Sequence, residues 1–378
     1  MRNRSISTNT DSEIEGVLEG LETMNLVPPK TPLTVVGGGR VTPSDLFSAA
    51  QVAGHPYRIG CGMASRKAIE PANSRRVRAL LFRARYVLDS RIEATISQLL
   101  DAGEISMSRL LKRQVFGFCK KQGVSFRLSL STCVPSPMCG GSCYAHDGRE
   151  RVTSTILSGC YNTLIAHYWE SGELSGTLLQ PHINRAVELA KSDADFAKKE
   201  YGSSRRARIR LAHVGELAAF PKFANWLGNA IREASDGAVD GVLYTRHPKI
   251  KDLDVKSLII NLTVDESSEN RRAWARDGVR VVWSAWDGKL DPTAEVNFLE
   301  HHDNGQHAKP DGHGLVCPVT DAATEHRFCD AFHCTKCFDV PNANAAASEQ
   351  RMHTRVIDAP RTRRQSLLHE EDEHSGED

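Results

Sequence analysis

The stretch ARIRLAHVGELAAFPKFANWLGNAIREASDGAVDGVLYTRH, residues 207–247, decides the fold of this chain. It begins with a strand-like segment, continues into a helical segment with Pro221 near its first turn, and ends with a second strand-like segment. Strands that alternate with helices favour parallel pairing, because a right-handed helical crossover brings the next strand alongside the first. The stretch therefore predicts an α/β core.

The same alternation extends in both directions along the chain. The predicted elements are a strand RLSLSTCV at 127–134, helices at about 150–170 and 178–200, a strand at 257–265, a capped helix at 267–278 and a strand at 279–286. Together they predict a partial or closed parallel barrel-like sheet. A full eight-unit barrel usually needs about 250 residues.

Composition limits the class of protein. The chain has 378 residues, with 48 Lys and Arg against 47 Asp and Glu, and 40% of its residues are hydrophobic. These values are ordinary for a protein with a packed core. Its apolar runs are all shorter than the roughly 20 residues of a membrane span, and its first residues lack the apolar region of a secretory signal. We therefore expect a cytoplasmic protein without a membrane partner, in which structural disulfides are rare.

The sequence divides into five segments. They are a disordered arm at 1–30, a mostly helical basic region at 31–125, the α/β core with a three-cysteine loop at 126–315, a cysteine-rich metal site at 316–339, and a disordered tail at 340–378. In the basic region, apolar residues recur at helical spacing over 75–101, and a second helix is predicted at about 105–121.

The basic region has two interpretations. Residues 66–121 contain thirteen Lys or Arg against five Asp or Glu, and a second Arg-rich run, SRRARIR, lies at 204–210. Such clusters suit the phosphates of nucleic acid. They are also typical of ordinary solvated helix surfaces, which is the interpretation we favour.

Three cysteines stand close together in TCVPSPMCGGSCYA, where the predicted strand 127–134 runs into a loop. Cys133, Cys139 and Cys143 are separated by prolines and glycines, which disfavour regular structure and suit a loop folded around a metal. Thiolates select zinc or iron–sulfur clusters. Because both usually take four ligands, three thiolates leave one position open for chemistry.

A second group of cysteines lies near the end of the chain, in FCDAFHCTKCF and just before it. It consists of Cys317, Cys329, Cys334 and Cys337, with His333 beside them as a substitute ligand. Four thiolates would close a metal site, and the Cys334–Cys337 pair has the spacing of a metal or redox motif. The remaining cysteines, Cys61, Cys119 and Cys160, are predicted to be core residues.

Polar residues end the predicted strands. They are His213, Gly215 and Glu216; Tyr244, Thr245, Arg246 and His247; Asn261, Thr263 and Asp265; and Trp283, Ser284 and Trp286. In parallel α/β folds, ligands bind at the carboxyl ends of strands, so these residues predict a shared pocket. Gly215 would let a ligand approach the backbone, and Glu216 would pair with an amine.

With these residues in view, the sequence resembles the gene product 88 family of phage and plasmid proteins. The resemblance rests on LSLSTCVPSPMCGGSCYA, HVGEL, VLYTR and the closing group that begins GLVCP, and it covers about residues 125–338. It implies no established activity.

That pattern in turn looks like radical S-adenosylmethionine enzymes, in which three cysteines after the first barrel strand bind a four-iron cluster. The resemblance implies that Cys133, Cys139 and Cys143 bind this cluster, and that Gly215 and Glu216 hold the amine of S-adenosylmethionine. Arg246 or His247 would orient a substrate. The spacing Cx5Cx3C differs from the usual CxxxCxxC, and Tyr144 follows the last cysteine where an aromatic usually precedes it.

Two functions are therefore predicted. The first is an iron–sulfur enzyme of radical type, acting on a small-molecule or macromolecular substrate, with a second cluster or zinc at the C-terminal cysteines. The second is a non-catalytic zinc protein that binds nucleic acid through residues 66–121. A weaker alternative is a thiol redox protein that uses Cys334 and Cys337.

Overall fold

A computed structural model describes residues 75–112, 115–119, 123–143, 145, 153–203, 205–299 and 311–312. The predicted arm at 1–30, the tail at 340–378 and the four C-terminal cysteines lie outside the described residues.

The described part of the chain forms six α-helices and seven strands. The helices are α1 Arg75–Asp101, α2 Met107–Leu111, α3 Pro137–Ser142, α4 Thr153–Glu170, α5 Gln180–Tyr201 and α6 Pro221–Ala234. The strands are β1 Phe116–Cys119, β2 Gly123–Phe126, β3 Ala207–Leu211, β4 Val239–Thr245, β5 Leu258–Val264, β6 Val279–Ala285 and β7 Val296–Leu299. Short 3-10 helices occur among the connections, at Leu130–Thr132, Gly176–Leu178, Leu217–Ala219, Pro248–Asp252 and Glu266–Trp274.

The seven strands form one sheet in the order of the sequence. β1 and β2 are antiparallel, and every later neighbouring pair is parallel. The fold is α/β, as predicted, and the sheet is open: among the described residues no ladder joins β1 to β7. The partial barrel-like sheet is therefore confirmed and its closed alternative is wrong.

The outer face of the sheet packs against helix α6. Gly228 of α6 lies against β5, where an added Cβ would be 2.7 Å from Leu258 Cδ2. Gly241 of β4 lies at the same contact between α6 and the sheet. A Cβ added to it would be 3.1 Å from Leu211 Cδ1 and 3.2 Å from Leu258 Cδ2. These glycines allow the helix and the sheet to approach closely. Because successive residues of a strand point to opposite faces, the residues of β4 that are two positions from Gly241 also face α6.

The sheet is strongly curved. Tyr244 of β4 and Phe298 of β7 have ring centroids 6.1 Å apart, although β5 and β6 run between their strands. Three strand spacings in a flat sheet would separate them by about 14 Å. The strands therefore wrap around a concave inner face, and the carboxyl ends of the parallel strands form its rim.

Helix α1 packs against the cysteine loop at this rim. The 27-residue helix α1 has the predicted bounds of 75–101 and buries Leu88, Ile92 and Ile96 in the main core. It packs against α3, α4 and the 3-10 helix at 130–132. The predicted helix at 105–121 is partly wrong, because α2 ends at Leu111 and the hairpin β1–β2 follows it.

The predicted strand RLSLSTCV is also wrong. β2 ends at Phe126, and residues 130–132 form a 3-10 turn. The alternating apolar residues that predicted a strand, Leu128 and Leu130, are both buried, but they pack around this turn. In addition, no helix of the described chain has the length and apolar character needed to cross a lipid bilayer.

Candidate functional site

The three-cysteine loop runs across the rim of the sheet. Cys133 follows the 3-10 turn, Cys139 lies in the short helix α3, and Cys143 stands at the end of that helix. Ser136 caps α3 by accepting a hydrogen bond of 3.1 Å from the backbone N–H of Cys139, and Pro137 occupies the first turn. The expectation that the prolines and glycines would prevent regular structure between the cysteines is therefore wrong for residues 137–142, because Pro137 fits the first turn of a helix and Ser136 caps it.

The three thiols share one small region. Burial raises the pKa of Cys133 well above its ordinary value, and Glu216, Cys143 and Cys139 raise it further. Burial and the neighbouring Cys139 likewise raise the pKa of Cys143 to about 12. Three thiols that affect one another in this way lie close together, next to the Glu216 carboxylate. Within the described ranges, however, no three His, Cys, Asp or Glu side chains already stand in the arrangement of a metal site.

The segment after β5 fixes the cysteine loop from one side. Arg271 donates hydrogen bonds to the carbonyls of Val134, at 2.9 Å, and Pro135, at 3.1 Å. The same guanidinium reaches the carbonyl of Arg246 at 3.2 Å. These contacts connect the residues directly after Cys133 to the carboxyl end of β4, so Arg271 sets the position of the loop relative to the sheet.

A buried carboxylate provides a second anchor. Asp265 has no solvent exposure and accepts a hydrogen bond of 2.5 Å from the Ser136 hydroxyl, while Ser267 accepts one of 3.2 Å from the N–H of Met138. Burial alone would raise the pKa of Asp265, but Arg246 and the Ser136 hydroxyl bring it below its ordinary value. Asp265 is therefore a charged anchor for the segment that leads to Cys139.

Helix α1 holds the loop from the opposite side. The carboxylate of Asp89 accepts a hydrogen bond of 2.9 Å from the backbone N–H of Leu130. It also forms an ion pair with Arg85, on the preceding turn of the helix. Glu93 lies one turn further on and accepts a hydrogen bond from the Ser131 hydroxyl, which is 2.9 Å from Oε1 and 2.8 Å from Oε2. The two carboxylates attach the turn before Cys133 to the helix that covers it.

Gly215 and Glu216 lie directly beneath the loop. Gly215 has φ +77°, and an added Cβ would lie 2.6 Å from the carbonyl oxygen of Ser129. The N–H of Glu216 donates to the Thr132 hydroxyl at 2.8 Å. The side chain of Glu216, 7% exposed, accepts from the Thr245 hydroxyl at 2.6 Å and from the N–H of Arg246 at 2.9 Å. Burial raises the pKa of this carboxyl despite those hydrogen bonds.

The other strand-end residues divide into two groups. The structure brings Arg246, Asp265, Ser284 and Trp286 together: Arg246 donates to Ser284 at 3.0 Å, and Trp286 Nε1 lies 3.4 Å from Asp265. His247 instead caps the turn that follows, where its Nδ1 accepts from the N–H of Lys249. Burial and Lys249 lower the pKa of His247 to about 4.

Trp283 faces away from this group, since its Nε1 donates to the carbonyl of Lys289. Asn261 and Thr263 lie deeper, within β5.

Several of the basic residues behind the nucleic-acid interpretation are buried. Arg85 is 3% exposed and pairs with Asp89. In the run 204–210, Arg205 pairs with Asp193 at 2.6 Å and Arg208 is 4% exposed. These guanidinium groups stabilise the fold and are withdrawn from any surface that phosphates could contact. The buried Cys160 is confirmed as a core residue.

Sequence reasoning missed the residues that position the loop, above all Asp89, Glu93 and Arg271. A signal for the first two was present, because two carboxylates spaced four apart lie on one face of a predominantly basic helix. Arg271 left no comparable signal, since a lone Arg in a polar turn is usually a surface residue.

Glu93 should make stability depend on pH. Burial, together with the nearby Asp89, raises the pKa of Glu93 to about 8, against hydrogen bonds from Ser129 and Ser131. The folded chain therefore holds a proton that the unfolded chain releases near pH 4.5, and stability falls as pH rises towards 8. Between pH 6 and pH 8, we expect the unfolding free energy of the wild type to fall about 2 kcal/mol more than that of Glu93→Gln. Urea titrations measure this, and parallel pH profiles would contradict it.

Comparison of the chain with known protein families, with curated proteins and with solved structures gives no significant match.

Proposed function

We propose that the chain is an iron–sulfur enzyme of the radical S-adenosylmethionine type, with Cys133, Cys139 and Cys143 as cluster ligands. The observation that carries the proposal is the position of the three neighbouring thiols, which share one end of a parallel sheet with the buried carboxylate of Glu216. Thiolates are the ligands that iron–sulfur clusters take, and three of them leave one iron accessible. When bound, a reduced four-iron cluster would supply the electron that cleavage of S-adenosylmethionine requires.

The chain's own residues supply binding and orientation. Glu216 accepts one hydrogen bond at each carboxylate oxygen, and each oxygen has a further lone pair for an ammonium group. Gly215 lets the turn before Cys133 pack directly against the backbone next to Glu216, because Ser129 and Thr132 occupy the place of a Cβ. Arg271 and Asp265 hold the cysteine loop in place, and Arg246 lies between Asp265 and Ser284, where it can meet the polar part of a ligand.

The C-terminal cysteines Cys317, Cys329, Cys334 and Cys337 are proposed to hold a second cluster or a zinc ion. A cytoplasmic location accompanies the proposal, because both sites need reduced thiols.

The visible spectrum and metal analysis of protein purified without oxygen test the metal. We expect a brown protein that contains iron and acid-labile sulfide. A colourless protein with only zinc would support the non-catalytic alternative and contradict the proposal.

Titration with S-adenosylmethionine tests the cofactor. In reconstituted protein, we expect Glu216→Gln to bind it ten- to a hundredfold more weakly than wild type, because a charge-assisted contact is worth about 1.5–3 kcal/mol. The exposed Glu233 of α6 provides a matched control, and Glu233→Gln should bind like wild type. Equal affinities in all three proteins, or no binding to any, would remove the cofactor from the proposal.

A further inference from the structure

Two of the three loop cysteines belong to a hydrophobic cluster that is separate from the main core. Within the described part of the chain, this cluster consists of Phe82, Tyr86, Leu130, Cys143, Ala145 and Val214, and Cys133 packs against it. Phe82 and Tyr86 come from helix α1, one turn apart, and their ring centroids are separated by 6.4 Å. We call these two rings the aromatic wall, because they bring apolar surface of α1 to the first and third thiols of the loop.

The aromatic wall is almost completely shielded from water. Phe82 is 1% exposed and Tyr86 is 4% exposed. Burial, together with the neighbouring Cys133 and Glu93, raises the pKa of Tyr86 to about 12, so the phenol lies close to the first thiol of the loop. Cys143 is itself buried. The side of the loop that faces α1 is therefore dry.

Helix α1 brings little net charge to this side of the loop. The guanidinium of Arg85 is compensated by the buried carboxylate of Asp89, with which it forms an ion pair. Glu93 is uncharged at neutral pH, because burial raises its pKa to about 8. Next to the thiols, α1 therefore contributes mainly apolar surface rather than charge.

The strand ends form a polar side of the same loop. The N–H of Glu216 donates a hydrogen bond to the hydroxyl of Thr132, which precedes Cys133. Arg271 donates one to the carbonyl of Val134, which follows Cys133. Glu216 and Arg271 both lie in segments that follow strands of the sheet. A polar ligand would therefore meet the loop from the strand ends rather than from α1.

An apolar environment lowers the reduction potential of an iron–sulfur cluster. The reduced cluster carries one more negative charge than the oxidised cluster, and charge is less stable where water is excluded. Solvent exposure and the hydrophobic shell around a site are accordingly among the factors that set its potential. A lower potential makes the reduced cluster a stronger electron donor.

We infer that the aromatic wall is part of the metal centre: Phe82 and Tyr86 exclude water from the side of the metal that faces α1 and thereby lower its reduction potential. A polar ligand then approaches from the strand ends, next to Glu216. The effect on the potential rests on the proposed function. The exclusion of water from the thiols does not, because it depends only on the packing of α1 against the loop.

Alkylation of the metal-free wild type by iodoacetamide tests the shielding, with tandem mass spectrometry to assign the label to each cysteine. We expect Cys143 to react at least about tenfold more slowly than Cys139 in the native chain, because a buried thiol is inert until it is exposed. In urea, the two thiols should react at similar rates. Equal rates in the native chain would contradict the shielding.

Two substitutions of nearly equal size at Phe82 test the role of α1. In Phe82→Asn, which replaces the ring by a polar side chain, we expect the ratio of the Cys143 rate to the Cys139 rate to rise at least about fivefold over that in Phe82→Leu. Phe223→Asn is the matched control, because Phe223 is also 1% exposed but belongs to the main core. General loosening of the chain affects both thiols alike, so this control should keep the wild-type ratio.

An equal ratio in Phe82→Asn and Phe82→Leu overturns the inference. The same pair of substitutions at Tyr86, with the same expected difference, covers the case in which Phe82→Asn does not fold.

Reductive titration of the anaerobically reconstituted proteins tests the potential and separates the two proposals. We expect the cluster of the three-cysteine loop, identified by its loss in Cys139→Ala, to have a more positive potential in Phe82→Asn than in Phe82→Leu. A shielded Cys143 in a chain that takes up no iron at this loop keeps the shielding and removes the proposed function. An iron-loaded loop with equal potentials in both variants keeps the proposed function and overturns the effect of the aromatic wall.

Discussion

Replacement of Gly215 by Ala should destabilise the chain by about 2–5 kcal/mol and displace the cysteine loop. Two costs combine at this position. A φ of +77° costs an L-residue about 1–2 kcal/mol. The added Cβ would also lie 2.6 Å from Leu128 Cβ and 2.8 Å from Thr132 Oγ1, and such overpacking costs about 1–3 kcal/mol. Because Thr132 adjoins Cys133, the relief of this clash moves the first thiol.

Gly237 provides the matched control. It has a similar φ of +72°, but an added Cβ meets nothing within 4 Å. Gly237→Ala should therefore lower the free energy of unfolding by only about 1–2 kcal/mol, because only the positive φ opposes the new side chain. Urea unfolding measures both variants. A loss in Gly215→Ala no larger than that in Gly237→Ala would show that the strand end and the cysteine loop are not in close contact.

Removal of the Asp89 carboxylate should cost about 3–5 kcal/mol. Asp89 is fully buried, and its loss removes an acceptor from both the Arg85 guanidinium and the N–H of Leu130. Loss of one partner of a buried ion pair is expensive, because the charge of the other partner stays buried. We expect Asp89→Ala to unfold at lower urea concentration and to react faster with a thiol reagent at Cys133.

A double-mutant cycle isolates the charge pair. In an Arg85→Met background, the substitution Asp89→Ala should cost at least about 1.5 kcal/mol less than it does in wild type, because no buried cation is then stranded. Equal costs in the two backgrounds would mean that Arg85 and Asp89 do not stabilise each other, and that helix α1 does not hold the loop through this pair.

Elements with strong periodicity could be predicted from the sequence. Helix α1 and strand β6 have nearly the predicted bounds, because the first repeats apolar residues at helical spacing and the second is a run of β-branched and aromatic residues ended by Gly278 and Trp286. The hairpin β1–β2 and strand β7 were missed. They are four residues long, and segments so short depend on their neighbours in the sheet rather than on their own pattern.

The candidate site was predictable only in part. Cys133 was identified from the spacing of the three cysteines, whereas Gly215, Glu216 and Arg246 were identified because strand ends collect at one edge of a parallel sheet. The contribution of helix α1 could not be predicted, since the Asp89–Leu130 contact joins residues far apart in sequence. The curvature that brings Tyr244 next to Phe298 likewise depends on the arrangement of four strands together.

The metal content of one variant tests the central claim most directly. We compare anaerobically reconstituted wild type with the triple variant Cys133→Ala, Cys139→Ala, Cys143→Ala, and with Cys160→Ala as a control that removes a buried thiol outside the loop. The account predicts that the triple variant loses the iron and sulfide of one cluster per chain, whereas Cys160→Ala keeps the wild-type content. Equal iron and sulfide in the triple variant and wild type would contradict the claim that the three-cysteine loop is a metal site.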